Sequence, residues 1–200
     1  EKEPIDRVLY SPNDTRYNQQ WHLRKVAAHT AWDLYDIAGG ELPGDLGIVL
    51  ASVDTGVEYT HPDLWHRSWV NQAEVPTAIF SDVDTDSDGV ITPTEIVAYV
   101  SDYNSSGSTN LEDALHPSSP FMDGVDGGNG YTDDLFGWDI SGVTSSSSDS
   151  DNNPMAAMSG ASPADYRMHG THVAGLLAGN TDNGLGIASA MYNGTFMSVK

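Results

Sequence analysis

The 200 residues contain no cysteine, so a disulfide framework, a thiolate zinc site and a cysteine nucleophile are all excluded. Basic residues are scarce: 8 Lys and Arg stand against 29 Asp and Glu, a formal net charge of −21. Phosphate backbones and anionic membrane surfaces repel a chain of that charge, so no nucleic-acid partner is expected. No apolar run approaches the roughly 18 residues of a membrane-crossing helix, which sets membrane insertion aside. The chain opens at Glu1 without Met or a signal-peptide pattern, as a processed or clipped piece of a longer protein does.

What is present describes a folded domain. Hydrophobic residues make up 38%, and 5 Trp, 9 Tyr and 4 Phe are spread along the chain, enough to build a core. Thr30 can cap a helix through Trp32, Leu34, Tyr35 and Ile37 that stops at Gly39-Gly40. Gly47 to Val53 is a nearly continuous apolar run, the pattern of a parallel strand buried on both faces. It ends at Asp54-Thr55-Gly56. From about Asn71 to Ala164 the composition turns to Asp, Ser, Gly, Asn and Pro, which predicts insertions and loops, with Ser145–Ser148 and the acidic residues after it the most mobile stretch. His169 to Ala178 carries Val173, Ala174, Leu176 and Leu177 at helical spacing, and Thr195 to Lys200 predicts another strand.

Asp54 follows a strand, where parallel sheets place ligand and catalytic groups, although an Asp there also caps turns. In His169-Gly170-Thr171-His172-Val173-Ala174-Gly175, His169 stands at the mouth of a helix, where a carboxylate such as Asp54 could fix its tautomer. His172 is expected to be a satisfied structural group. A zinc pair with His169 is disfavoured, since helical metal pairs fall at i, i+4.

Val53-Asp54-Thr55-Gly56-Val57 with His61-Pro62-Asp63-Leu64, followed 115 residues after Asp54 by the His169 motif, resembles the subtilisin-like serine protease family. Pro12-Asn13-Asp14, Gln20-Trp21, Trp69-Val70-Asn71 with Glu74, Gly130-Tyr131 to Asp133-Asp134, and Gly137-Trp138-Asp139 extend the likeness to the family's N-terminal half. It implies an α/β fold with a mainly parallel sheet and helices on both faces, incomplete in this chain. It also implies that Asp54 orients the base, that His169 is the base, and that protein or peptide bonds are the substrate. The family's nucleophilic Ser and oxyanion Asn are expected after Lys200, with the remaining half of the domain, so residues 1–200 alone are expected to be inactive. Met168 stands where the family has Gly.

Asp84 to Glu95 matches the EF-hand calcium loop. Acids stand at its first, third, fifth and twelfth positions (Asp84, Asp86, Asp88, Glu95), Gly89 at the sixth and Ile91 at the eighth. The Val90 carbonyl, and Thr92 through water, complete the expected Ca2+ set, and a helix from Thr94 through Tyr99 follows. Asp123 to Asp134 is similar to an acidic Gly-Asn loop of many subtilases, with Asp126, Asn129 and Asp133 as candidate ligands. The resemblance further implies a structural calcium site built from Asp14, Asp63, the Asn183 side chain and carbonyls near Asn180, Leu185 and Ile187.

The expectation is therefore the N-terminal part of one catalytic domain over 1–200, with a calcium-loop insertion at about 75–120 and an acidic loop region at about 121–165. The function expected is that of a secreted, calcium-binding serine endopeptidase. The alternative is a non-catalytic, calcium-dependent binding or structural module on the same fold. A calcium sensor is disfavoured, because a single EF-like loop lacks a partner loop and a Met-rich groove.

Overall fold

The computed structural model describes residues 10–141, 150–156 and 164–200, the side chains of 164–167 excepted. The Ser145–Ser148 run lies outside the described residues. Two short helices, α1 (Trp21–Lys25) and α2 (Ala28–Trp32), precede strand β1 (Gly44–Val53). Helices α3 (Phe80–Val83), α4 (Pro93–Tyr99) and α5 (Leu111–Ala114) lie before strand β2 (Gly137–Trp138), and α6 (Ala164–Ala178) leads to β3 (Asn193–Val199).

The three strands form one parallel sheet in the order β1-β3-β2. Val49 to Val53 pair in register with Thr195 to Val199, and Gly137 and Trp138 pair with Ser198 and Val199. β3 is central and alternates as a strand should, with Gly194, Phe196 and Ser198 buried. Helix α6 packs on β1 and β3, so the expected class, α/β with a parallel sheet and helices, is the class observed.

Four local expectations are corrected. The run 47–53 is not buried on both faces: Ile48 is 51% and Val53 72% exposed, because among the described elements α6 is the one helix with substantial packing on β1, which leaves much of the strand's surface uncovered. The helix expected from Thr30 through Ile37 is instead α2, which ends at Trp32, and a separate 3-10 turn, Ile37–Gly39. Leu34 and Tyr35 lie exposed between them, so nothing rewards a continued apolar face. The stretch 71–164 is more than loops: Val75, Val83, Ile91, Ile96, Val100, Leu111, Phe121, Leu135 and Phe136 join Val57, Tyr59 and Phe196 in the main buried cluster. His172 is exposed on α6 rather than satisfied in the core.

Helix α4 matches its sequence closely. Thr92 caps it, Pro93 occupies the first turn, and Glu95 returns the capping bond to the Thr92 amide, a closed capping box.

Candidate active site

β1 delivers Asp54 at its carboxyl end, and the second turn of α6 delivers His169. The imidazole Nδ1 lies 2.7 and 2.8 Å from the two Asp54 carboxylate oxygens. The Asp54 side chain is 14% exposed and that of His169 63%, so the anion is sheltered while the imidazole is largely open to solvent. Burial works to raise the Asp54 carboxyl, but the Thr55 amide and the His169 ring outweigh it and hold the group below its ordinary value.

Two glycines make the approach possible. At Gly170 a Cβ would collide with the Gly56 carbonyl oxygen and press on the Asp54 Cβ. Gly56 has φ +88°, and a Cβ there would press on the carbonyls of Pro154 and Met155. Across this contact the Gly170 amide donates to Thr55 Oγ1 (3.1 Å) and the Glu58 amide to Thr171 Oγ1 (2.9 Å). The second turn of α6, not the helix mouth expected for His169, is thus tied to both sides of the turn after Asp54.

Of the three candidate calcium regions, the EF-like loop brings Asp84, Asp86 and Asp88 together, one oxygen of each within 4.8 Å of the others. Gly89 has the expected positive φ, +83°, and Ile91 is buried with both its backbone groups bonded to the Gln72 side-chain amide. Gln72 serves here as a strand partner would. Val90 is exposed, its amide bonded to Asp88. Glu95 is engaged elsewhere: one oxygen accepts from the Thr85 amide and hydroxyl, the other from those of Thr92.

The structure also gathers the N-terminal arm against the loop after α6. Asp63 accepts from Asn183 Nδ2 and the Ile187 amide, its own carbonyl accepts from the Asn180 amide, and Asp14 accepts from the Asp182 amide. The Leu185 amide donates to the Asn183 side chain. Asp14 and Asp63 are both 5% exposed, and burial raises the Asp14 carboxyl, with the nearby Asp63 charge adding to it. In the third region Asp126 accepts the amides of Gly128, Asn129 and Gly130, while Asp133 accepts that of Gly124. Asn129 bonds Asp134 and the Tyr131 amide, so these three side chains serve the loop's own backbone and neighbours.

Residues 45–200 match the subtilase family profile. The chain belongs to the subtilase family. A further similarity is to halolysin of Haloferax mediterranei, 38% identical over 64 residues, which is 32% of this chain and 11% of halolysin. The aligned part therefore spans about a tenth of that relative's length.

In this subtilase the sequence pattern located Asp54 and His169 but not what holds them. Thr55 and Thr171 sit inside the motifs, and their hydroxyl contacts appear only in three dimensions. Nor did it single out Tyr59, whose phenol donates to Asn153 Oδ1 at 2.9 Å across a separation of 94 residues. The Asn153-Pro154 pair was the available signal, as a turn-forming dipeptide beside acidic residues.

Proposed function

We propose that this subtilase is a serine endopeptidase acting on protein and peptide substrates. His169 serves as general base and Asp54 as the carboxylate that fixes its tautomer. The observation that carries this reading is the bond from His169 Nδ1 to a sheltered Asp54, which turns Nε2 outward to a reacting hydroxyl. In the proposed reaction a serine supplied outside residues 1–200 attacks the peptide carbonyl. His169 Nε2 takes the hydroxyl proton and returns it to the leaving amine, and Asp54 stabilises the imidazolium formed between.

Calcium is proposed at the EF-like loop (Asp84, Asp86, Asp88, with the Val90 carbonyl, and Glu95 once it gives up its bonds to Thr85 and Thr92) and at the arm site (Asp14, Asp63, Asn183, with carbonyls near Asn180, Leu185 and Ile187). Asp126, Asn129 and Asp133 are the third candidate. All donors are oxygens, as a hard cation requires. Asp84 Oδ1 and Asp14 Oδ1 are each buried without a hydrogen-bond partner, which fits a cation at both places. Such an ion supplies charge neutralisation and clamps its loop, with no part in the chemistry. Secretion belongs to the same proposal, resting on the family likeness and on the calcium loops. No helix among the described residues is long and apolar enough to cross a membrane.

The deciding experiment treats the full product of the coding region with a serine-reactive phosphonate in calcium, beside its His169→Ala variant. Labelling that disappears in the variant is expected. A product that resists the probe would leave the non-catalytic calcium-dependent module as the better account.

A further inference from the structure

We infer that Asn153 is a positioning residue for the Asp54–His169 pair, acting through the phenol of Tyr59. The inference rests on the dyad reading above and adds a residue that neither motif contains.

Residues 153–156 lie as a strap across the turn that follows Asp54. The Val57 amide donates to the Pro154 carbonyl (3.1 Å) and the Ala156 amide to the Val57 carbonyl (3.3 Å). Ser198 Oγ, on the central strand, donates to the same Pro154 carbonyl at 3.2 Å. The carbonyls of Pro154 and Met155 face Gly56 so closely that a Cβ would not fit there. Wherever the strap sits, Gly56 must follow, and Gly56 is joined through Thr55 to the Asp54 carboxylate: the Thr55 amide donates to Asp54 Oδ1 at 2.7 Å.

One side-chain oxygen sets the height of the strap. Asn153 Oδ1 accepts from the Met155 amide (3.1 Å), which shapes the strap, and from the Tyr59 hydroxyl (2.9 Å), which ties it to the segment leaving Asp54. Tyr59 has 0% exposure and packs on Phe136 with ring centroids 5.4 Å apart, so the phenol is a fixed reference point. Burial, with the charges of Glu112 and Asp151 adding to it, keeps the phenol protonated and therefore a donor at any working pH.

The chain of contacts runs Tyr59, Asn153, the carbonyls of Pro154 and Met155, Gly56, Thr55, Asp54. Releasing Asn153 lets the strap and Gly56 shift together and turns the carboxylate away from Nδ1. Misplacement of a catalytic group by about 1 Å can cost about 10²-fold in rate, so a partial shift is expected to cost about tenfold.

The test compares Asn153→Ala, Asn153→Asp and Tyr59→Phe with Ile96→Val, a core truncation in α4, as the stability control. Expected for Asn153→Ala in the full product is a kcat about tenfold lower at unchanged KM. In NMR spectra of the chain, the downfield His169 Nδ1 proton is expected to move upfield and exchange faster with water. Asn153→Asp, which keeps the accepting oxygen, restores both readouts. Tyr59→Phe breaks one of the two bonds that Asn153→Ala removes, so it moves both readouts in the same direction by no more than Asn153→Ala does, and the double variant is no worse than Asn153→Ala alone. Ile96→Val lowers Tm without moving the proton signal. The inference is overturned if Asn153→Ala leaves that signal and its exchange as in the parent, or shifts them no more than Ile96→Val does. The dyad reading fails separately, if Asp54→Asn also leaves the Nδ1 signal unmoved.

Discussion

Asp54 can serve His169 only while it is ionised, and its surroundings favour that state despite burial. The Thr55 amide and the imidazole hold its carboxyl below the ordinary range, so the pair stays assembled through the neutral and mildly acidic region. Asp54→Asn keeps the shape but offers an amide to Nδ1, which stabilises the wrong tautomer. Activity of the full product is expected to fall by about 10⁴-fold, the size of loss that this defect causes in Asp-His-Ser proteases, measurable as kcat on a peptide ester. A fall of less than about tenfold would mean that Asp54 is a turn cap and not the orienting group. Gly170→Ala tests the same contact sterically. Its methyl would meet the Gly56 carbonyl oxygen, so helix α6 must withdraw from the turn. Phosphonate labelling is expected to be lost while far-UV circular dichroism stays near that of the parent. Retained labelling would show that the turn can yield.

Among the elements, β2 and β3 are joined by an ion pair as well as by their ladder. Lys200 Nζ lies 2.8 Å from Asp139, with side-chain exposures of 8% and 0%. Burial works to raise the Asp139 carboxyl, yet the Lys200 ammonium and the Ser141 hydroxyl and amide hold it below its ordinary value. A depressed carboxyl contributes stability that is complete above the unfolded value, about 3.9, and is lost as pH falls through the folded one. Lys200→Met leaves Asp139 buried and unpaired. A loss of about 3 kcal/mol is expected, read as a Tm lower by about 6–12 °C at pH 7, with the acid limb of the stability curve flattened. An unchanged acid limb would remove the pair from the account. Much at this scale was legible beforehand. The helix expected from Thr94 through Tyr99 and the strand expected from Thr195 both formed, as α4 and β3, because their signals are local; the capping box of Thr92 and Glu95 was not anticipated, since both residues are expected in the calcium set. The exposure of β1 was not legible, because the apolar run 47–53 says what could be buried and not which neighbours are there. Nor was the core role of 75–121, where Val83 and Leu111 each stand between polar residues and the apolar groups around Ile91 and Ile96 are short and separated by polar loops. The pairing of Asp54 with His169 was legible from two short motifs. The Tyr59–Asn153 link was not, since a hydrogen bond across 94 residues leaves no spacing to read.

The whole molecule carries its 29 acids with little local relief. Of the 8 basic residues, Arg67 is half-buried on Asn180 and Asn193 and Lys200 is paired with Asp139, so among the described residues only Arg16, Arg24 and Lys25 are exposed cations. All three lie in the N-terminal helical segment, and none lies within the acidic stretches at 82–88 and 123–134. Self-repulsion of this size opposes compactness, and it can be relieved by screening or by bound cations. The two routes separate in one experiment. Raising NaCl from 0.1 to 1 M shortens the screening length from about 10 Å to about 3 Å, so in chelator Tm is expected to rise by about 5 °C. Adding calcium at low salt is expected to raise Tm through the folded state's preference for the ion, by about 2.7 kcal/mol at a hundredfold excess over Kd. Screening acts on the net charge, so Asp86→Ala, one charge fewer of many, should keep nearly all of the NaCl effect. A calcium effect carried by the proposed sites depends on particular oxygens, so in Asp86→Ala it should shrink to what the arm site and the Asp126 loop supply, and in Asp63→Ala to what the EF-like loop and the Asp126 loop supply. Calcium increments that survive both substitutions unchanged would reduce the ion to one more screening cation and take the structural sites out of the account.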